Sequence, residues 1–422
     1  NLNNSGTIYL DSDNGSLGGT ITADDTLSDA MLVNTGVLEA DITGTATATH
    51  LLNVNINNSG AINIHSDTQF GETGASEFPT LATADGTLSI SSGADFKVMG
   101  TMVAGQDTNL NGAGTLILGD QSSFQVVSGE TFTIGNSGGT LSSASVDFQG
   151  QAFINGAGVL TNNAETSFET LEVSNGASLT NIGTMTGTDF VIDTEGEATN
   201  TGALNVNNGS LNVAGALNND GQITIENGQV LLNSSEFNNT GGTLKLQADE
   251  FSGSTLTVNA AATNAGHITI SMDGGQSAGQ NVVLNSDNDS TLTNSGTIET
   301  GVSFFGNSGM LVVGADIVNT GTIKLKGLAE VQSSNNLDTR DGTIHVTDMD
   351  NGPDGALNFL SNSTLIVGDA SVLTIDTNAG SYRGTIDFAY NAVLSVADGE
   401  TFTVDDDTVS LNFVSGGFIG GT

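Results

Sequence analysis

Short-spaced acidic residues are the first candidates for chemistry in this chain. In "DMDNGPDG" three aspartates lie within a few residues of one another around a glycine, and "DSDNGS" and "NSDNDS" are similar. Calcium loops use such spacing, because a short turn lets several carboxylate oxygens surround one ion. The alternative is a set of solvated turn residues, a place that Asp and Asn also favour. The candidate calcium ligands are Asp348, Asp350, Asp354, Asp11, Asp13, Asp287 and Asp289.

Catalytic motifs do not stand out in the sequence. The chain has no cysteine, which excludes thiol catalysis and disulfides. Its four histidines are scattered, and no serine lies in a Gly-x-Ser-x-Gly elbow between a strand and a helix. An enzyme that cleaves acidic polysaccharides would need Arg or Lys beside the substrate carboxylates, and the chain has only 6 such residues. We therefore expect a protein without catalytic residues.

The charge of the chain limits its partners. It carries 47 acidic against 6 basic residues, a net charge of −41. A surface of this sign repels nucleic acids and anionic lipids, so we expect neither as a partner. The same field attracts cations, and calcium is the cation that carboxylates and carbonyl oxygens bind outside the cell.

A degenerate repeat runs along almost the whole chain. Its unit is Gly-x-Ile/Leu, often preceded by Asn two residues earlier, and it returns mostly every 19 to 30 residues from Gly6 to Gly384. Periods of this length are typical of solenoids, propellers and arrays. Apolar residues alternate after each glycine, which predicts strands. The alternating pairs include Ile223 and Ile225, Leu244 and Leu246, Ile268 and Ile270, and Ile344 and Val346.

Two or three short strands in about 24 residues fit one coil of a β-helix. A propeller blade would need four strands, and nothing in the sequence shows a sustained helical period. Parallel crossovers are right-handed in nearly all folds. We therefore predict an all-β fold, a right-handed parallel β-helix that forms one elongated rod of roughly 17 coils.

Asparagine recurs two residues before the repeated glycine. Asn tolerates the left-handed conformation and caps turns. Stacked at one corner of the coil, the amides are expected to hydrogen-bond to one another as a ladder. The residues are Asn34, Asn58, Asn181, Asn200, Asn219, Asn264, Asn294 and Asn319.

We expect one continuous solenoid over residues 1–422 with two protruding loops, 66–80 and 346–356. Each loop contains one of the two prolines, and proline cannot donate to a strand ladder. No apolar run is long enough for a membrane-spanning helix, so direct insertion into a membrane is not expected. The first residues already read as repeat, which suggests a piece of a longer or processed protein.

The unit L-x-N-x-G-x-I, seen best in "LTNSGTIET" (292–300) and "IVNTGTIKL" (317–325), resembles the repeats of large secreted bacterial proteins. These are the autotransporter-passenger and filamentous-haemagglutinin-type adhesins. The resemblance implies an extracellular or cell-surface rod that makes biofilm-type contacts with other copies of itself or with cell-surface and matrix components. One alternative is a self-assembling surface-layer or filament subunit with calcium-bridged contacts. Another is a polysaccharide-degrading β-helix enzyme.

Overall fold

The computed structural model has two compact units, Asn1–Leu204 and Asn205–Thr422, each described here by itself. The described residues form strands and turns and no helix. The structure describes the whole chain except residues 12–17, 24–29, 42–47, 73–76, 84, 106–107, 120–121, 135–144, 156–157, 235, 249–254, 273–281, 286–289, 302–310, 315, 327, 333, 348–355, 369, 377–384, 389–391, 397–400, 402–409, 414–417 and 421–422.

Short strands separated by tight corners make up the first unit. Its strands are β1 (Leu2–Asn4), β2 (Thr7–Leu10), β3 (Thr20–Thr22), β4 (Met31–Asn34), β5 (Val37–Ala40), β6 (His50–Asn53), β7 (Asn55–Asn58), β8 (Ala61–Ile64), β9 (Thr68–Phe70), β10 (Thr80–Ala82), β11 (Thr87–Ile90), β12 (Asp95–Val98), β13 (Thr101–Ala104), β14 (Asn109–Gly112), β15 (Thr115–Leu118), β16 (Ser123–Val126), β17 (Thr131–Ile134), β18 (Ser145–Asn155), β19 (Val159–Asn162), β20 (Glu165–Val173), β21 (Ser178–Asn181), β22 (Thr184–Ile192) and β23 (Glu197–Asn200).

These strands form three parallel stacks, because each strand pairs with the strand one coil before and one coil after it. The first stack begins with β1, β4, β7 and β10, and the third begins with β3, β6, β9 and β12. The second stack has two runs, β2–β5–β8–β11–β14 and β17–β19–β21–β23. Strands β18, β20 and β22 are long because each belongs to the third stack at its start and to the first stack at its end.

The second unit repeats this arrangement, and the boundary between the units falls within β24 (Ala203–Asn207). Its strands are β25 (Ser210–Val213), β26 (Ala216–Asn219), β27 (Gln222–Glu226), β28 (Gln229–Leu232), β29 (Phe237–Asn239), β30 (Thr243–Ala248), β31 (Thr255–Val258), β32 (Ala262–Asn264), β33 (His267–Met272), β34 (Val282–Asn285), β35 (Thr291–Asn294), β36 (Thr297–Gly301), β37 (Leu311–Gly314), β38 (Asp316–Asn319), β39 (Thr322–Lys326), β40 (Leu328–Val331), β41 (Asn336–Asp338), β42 (Thr343–Thr347), β43 (Ala356–Phe359), β44 (Thr364–Val367), β45 (Val372–Asp376), β46 (Thr385–Phe388), β47 (Val393–Val396), β48 (Ser410–Phe413) and β49 (Phe418–Gly420).

Three parallel stacks are present here too. The first runs from β25 through β28 and β31, the second from β26 through β29 and β32, and the third from β27 through β30 and β33. The predicted fold class is confirmed: both units are β-solenoids of stacked parallel strands. The single continuous solenoid expected from the sequence stays a prediction.

The core consists of apolar side chains at every second position of each strand. In the second unit, Ile223, Leu244 and Ile268 lie in register on consecutive coils and are buried. Phenylalanines fill wider parts of the interior. The rings of Phe359 and Phe388, for example, stack with centroids 5.1 Å apart. Alternation thus places aliphatic and aromatic groups inside and leaves the intervening polar residues for the outer faces.

The predicted asparagine ladders are present, and they are buried. In the second unit the side-chain amides link Asn219, Asn239, Asn264, Asn294 and Asn319 in turn, with N···O distances of 2.6–2.7 Å. The ladder ends at the hydroxyl of Thr339, 3.1 Å from the last amide. Each buried side-chain amide thereby finds a hydrogen-bond partner, and burying it without one would lower the free energy of unfolding.

The expectation of one shared corner is wrong, as the first unit shows. There Asn4, Asn34 and Asn58 form a ladder at the end of first-stack strands. A second ladder, with Asn162 and Asn181, ends second-stack strands. The Asn-x-Gly motif therefore moves from one corner of the coil to the next. Left-handed backbone among the described non-glycine residues occurs elsewhere, at Asn175, Asn208, Asn227, Ser334 and Asn362.

Close approach explains the glycine that follows these asparagines. A Cβ at Gly296 would collide with the carbonyl oxygen of Gly266 on the preceding coil, and a Cβ at Gly321 would collide with that of Gly296. The backbone of one coil thus passes over the next with no room for a side chain.

The structure describes only parts of the two predicted loops. Within 66–80, Thr68–Phe70 form strand β9 and residues 73–76 are not described. Within 346–356, Val346 and Thr347 end β42, Ala356 begins β43, and the residues between them are not described. The part of the chain that the structure describes contains no helix long and apolar enough to cross a membrane.

Candidate functional site

The structure describes one of the predicted calcium ligands. Asp11 is exposed directly after β2. The other candidates lie outside the described residues: Asp13, Asp287, Asp289, Asp348, Asp350 and Asp354. Within the described ranges, no three His, Asp or Glu side chains come together closely enough to hold a metal ion. Calcium binding therefore stays a prediction.

The outer face of the second stack in the first unit brings a different set of residues together. Strand β5 points Glu39 outward, and β8 and β11 point Asn63 and Ser89 outward at the same level on the next two coils. Two residues further along, the chain leaves these strands at Asp41, His65 and Ser91. The polar side chains thus form two neighbouring columns. Within each column, residues on successive coils are about 4.8 Å apart.

Four of these side chains form one hydrogen-bonded network, which we name the histidine cluster: Glu39, Asn63, His65 and Ser91. His65 Nε2 lies 2.9 Å from Glu39 Oε2, and His65 Nδ1 lies 2.7 Å from Ser91 Oγ. The Asn63 amide donates a hydrogen bond of 2.9 Å to the other oxygen of Glu39. Both distances from the ring lie within hydrogen-bonding range.

The chemistry of these groups fixes the tautomer of His65. A carboxylate only accepts hydrogen bonds, so the ring nitrogen beside Glu39 must carry the hydrogen. In the neutral ring, Nδ1 then presents a lone pair to the Ser91 hydroxyl, which donates. A carboxylate that orients an imidazole, and an imidazole that accepts from a hydroxyl, together make an acid–base–nucleophile set.

The side chains of the cluster are partly accessible. Those of His65 and Glu39 are 43% and 20% exposed. On the far side of Ser91 the next coil carries Ala113, which is exposed and small. Ser91 itself is half-buried.

A tight turn follows Ser91. The Ala94 amide donates to the Ser91 carbonyl over 3.0 Å, and Gly93 has φ +81°. These features define a type II turn with glycine at its third position. The N–H groups of Ser92 and Gly93 make no hydrogen bond within the described part of the chain, so both remain available as donors.

The histidine cluster was missed in the sequence because its members belong to different repeats. Glu39 and His65 are 26 residues apart, and so are His65 and Ser91. For His65 and Ser91 that interval is one coil of the solenoid, whereas Glu39 lies level with Asn63, two residues before His65. Comparing residues at equal distances from the repeated glycine pairs His65 with Ser91, each five residues after such a glycine, but leaves out Glu39, which lies three residues after one.

Two other described histidines, His50 and His267, differ from His65 in their surroundings. His50 is buried, accepts a hydrogen bond from the Gly19 amide and contacts the Asp41 carbonyl, so it holds the fold together. His267 is partly exposed and lies 3.7 Å from Glu299, which Lys324 also approaches at 4.0 Å.

The first unit also has a groove on the outer face of the third stack. It has a volume of about 480 Å³. Ser167 Oγ donates a hydrogen bond of 2.7 Å to Asp147 there. Hydroxyls and carboxylates of this kind can hydrogen-bond to sugars or attract cations. The lining residues are Thr115, Val146, Asp147, Glu165, Thr166, Ser167, Thr184 and Thr186.

No family model, curated protein or solved structure matches this chain. The repeat-rich architecture of parallel strands is that of a β-solenoid. The similarity to adhesin repeats rests on the repeated motif alone and enters only the proposal that follows.

Proposed function

We propose that the chain is a structural and adhesive β-solenoid of a bacterial surface or secreted protein. It works outside the cell and mediates cell-surface or biofilm-type contacts. Its partners are cell-surface or matrix components and other copies of itself. This function needs binding faces and requires no catalytic step.

The observation that carries the proposal is the alternation along the stacked strands. Inward positions hold apolar side chains and buried asparagine ladders, which tie neighbouring coils together without using the surface. Outward positions are free to carry rows of polar and acidic groups, repeated from coil to coil. Repeated groups on a regular surface favour many weak contacts with a polymer, and many weak contacts together give strong attachment.

The charge supports cations as mediators of contact. With a net charge of −41, two copies of the chain, or the chain and another acidic polymer, repel each other unless cations lie between them. Calcium suits this role because it takes six to eight oxygen ligands and tolerates irregular geometry.

Electron microscopy and a binding assay test the proposal. We expect separate particles in negative stain both with calcium and after chelation. We also expect retention of the protein on beads coated with bacterial surface polysaccharide when calcium is present. Filaments or sheets that disperse on chelation would favour an assembly subunit instead. Failure to bind cells, polysaccharide or matrix components under any condition would overturn the adhesive role.

A further inference from the structure

We infer that the histidine cluster of the first unit is a hydrolytic site, in which Ser91 cleaves short acyl esters. This activity goes beyond the proposed adhesive function and departs from the sequence-based expectation of a protein without catalytic residues. It rests on three side chains that successive coils bring into hydrogen-bonding contact: Glu39, His65 and Ser91.

The roles follow from the hydrogen bonds. Glu39, held by Asn63 at one oxygen, receives the Nε2 hydrogen of His65 at the other. This contact orients the ring and stabilises the imidazolium that forms when His65 takes a proton. His65 Nδ1, 2.7 Å from Ser91 Oγ, is the general base. Ser91 is the nucleophile.

In the first half of the reaction, Ser91 Oγ bonds to the ester carbonyl carbon while its proton passes to His65 Nδ1. The carbonyl electron pair moves onto oxygen and returns as the carbon–oxygen bond to the alcohol breaks. The leaving alcohol takes the proton from His65. Water then attacks the acyl group on Ser91, His65 takes and returns a proton, and the carboxylic acid leaves. The net reaction converts an ester and water to an acid and an alcohol.

The turn after Ser91 supplies donors for the negative charge that develops on the carbonyl oxygen. The amides of Ser92 and Gly93 are unengaged within the described residues and are the closest in sequence to the nucleophile. Backbone N–H groups next to a catalytic serine stabilise such an oxyanion in acyl-transfer enzymes. The left-handed glycine orients this peptide by a conformation that other residues rarely adopt.

The surroundings define the substrate class. The histidine cluster lies on the outer face of a sheet, and its described neighbours Asp41 and Ala113 are short. They give a long acyl chain no apolar wall. The His65 side chain is 43% exposed on this outer face. The site therefore fits a small acyl group, such as acetyl, carried on an alcohol that extends into solvent.

Covalent labelling of the unaltered chain is the direct test. A fluorophosphonate reacts with a serine only when a neighbouring base activates it, because the neutral hydroxyl is a weak nucleophile. The labelled protein is digested and analysed by mass spectrometry. We expect a phosphonyl adduct on Ser91 and none on Ser89, which points outward from β11, the strand that Ser91 follows. Equal labelling of the two serines, or no labelling of Ser91, would overturn the proposal.

Hydrolysis of p-nitrophenyl acetate by matched variants is the second test. We expect Ser91→Ala to lower the rate by about a hundredfold and Ser89→Ala to leave it unchanged. Thermal melting of both variants checks that they fold. A Ser91→Ala protein that hydrolyses the ester at the original rate would show that the network only joins the coils. Because adhesion requires no catalytic step, Ser91→Ala should still bind polysaccharide-coated beads, so the two proposals can fail independently.

Discussion

Each unit of the molecule carries a histidine beside a glutamate on the outer face of stacked strands, and the two pairs differ in their geometry and in their other contacts. Glu39 and Glu299 occupy the same place, three residues after a repeated glycine. His65 lies on the coil after its glutamate, whereas His267 lies on the coil before. The first pair is separated by 2.9 Å and the second by 3.7 Å.

The difference lies in what else each carboxylate and each ring contacts. Glu39 has an amide on its free oxygen, and His65 has a serine hydroxyl on its free nitrogen. Glu299 is shared between His267 and Lys324. Exposed pairs of the second kind contribute little to stability or to orientation. A glutamate three residues after a repeated glycine thus belongs to the hydrogen-bonded histidine cluster in one unit and to an ordinary surface ion pair in the other.

The largest expected effect comes from removing the two histidines in turn. His65→Ala should lower the hydrolysis of p-nitrophenyl acetate by about a hundredfold or more, the usual contribution of a positioned general base. His267→Ala should leave the rate unchanged. Initial rates of both variants at equal concentration, after melting curves establish that both fold, provide the measurement. A comparable loss of rate in the two variants would mean that hydrolysis arises from surface imidazoles in general and not from the histidine cluster.

A smaller effect, on the free energy of unfolding, distinguishes the buried asparagine ladders from the histidine cluster on the surface. The Asn34 amide donates to Asn58 at 2.7 Å and accepts from Asn4 at 2.7 Å, all within the core. Asn34→Ala removes one hydrogen bond from each of these two buried partners, so we expect a loss of about 1–3 kcal/mol in the free energy of unfolding. Hydrolysis below the melting temperature should persist, because the histidine cluster does not contact Asn34.

Asn57 is the control for the ladder variant. It is exposed on β7 directly before the ladder residue Asn58. Asn57→Ala should change the free energy of unfolding by no more than about 0.5 kcal/mol. Denaturant titrations of the two variants give the comparison. Equal losses would contradict a ladder that stabilises the interior.

The repeat predicts the interior of the molecule better than its surface. Period-two alternation places Ile223 and Leu244 inside, because a strand with one buried face has only one register that buries its apolar residues. The recurring Asn-x-Gly likewise predicts stacked amides. The move of this motif from the first to the second stack could not be predicted, because the motif marks a corner without saying which of the three corners it is.

The histidine cluster could not be predicted for a related reason. Its geometry depends on which residue of one coil lies level with which residue of the next. The corners between strands differ in length, so this correspondence changes along the chain. Asn63 lies level with Glu39, whereas His65 reaches back to Glu39 from two residues further along. A sequence read without the register shows only three common residues 26 apart.

The smallest expected effect concerns the carboxylates themselves. Glu39→Gln keeps the size of the side chain and removes the charge that stabilises the imidazolium of His65, so we expect the hydrolysis rate to fall, but by less than in His65→Ala. Glu299→Gln, the equivalent change in the second unit, should have no effect. If Glu39→Gln retains the full rate, His65 needs no carboxylate, and the shorter distance in the first unit has no catalytic meaning. If only Glu39→Gln is slower, the difference between the two pairs lies in the orientation and charge that Glu39 gives to His65.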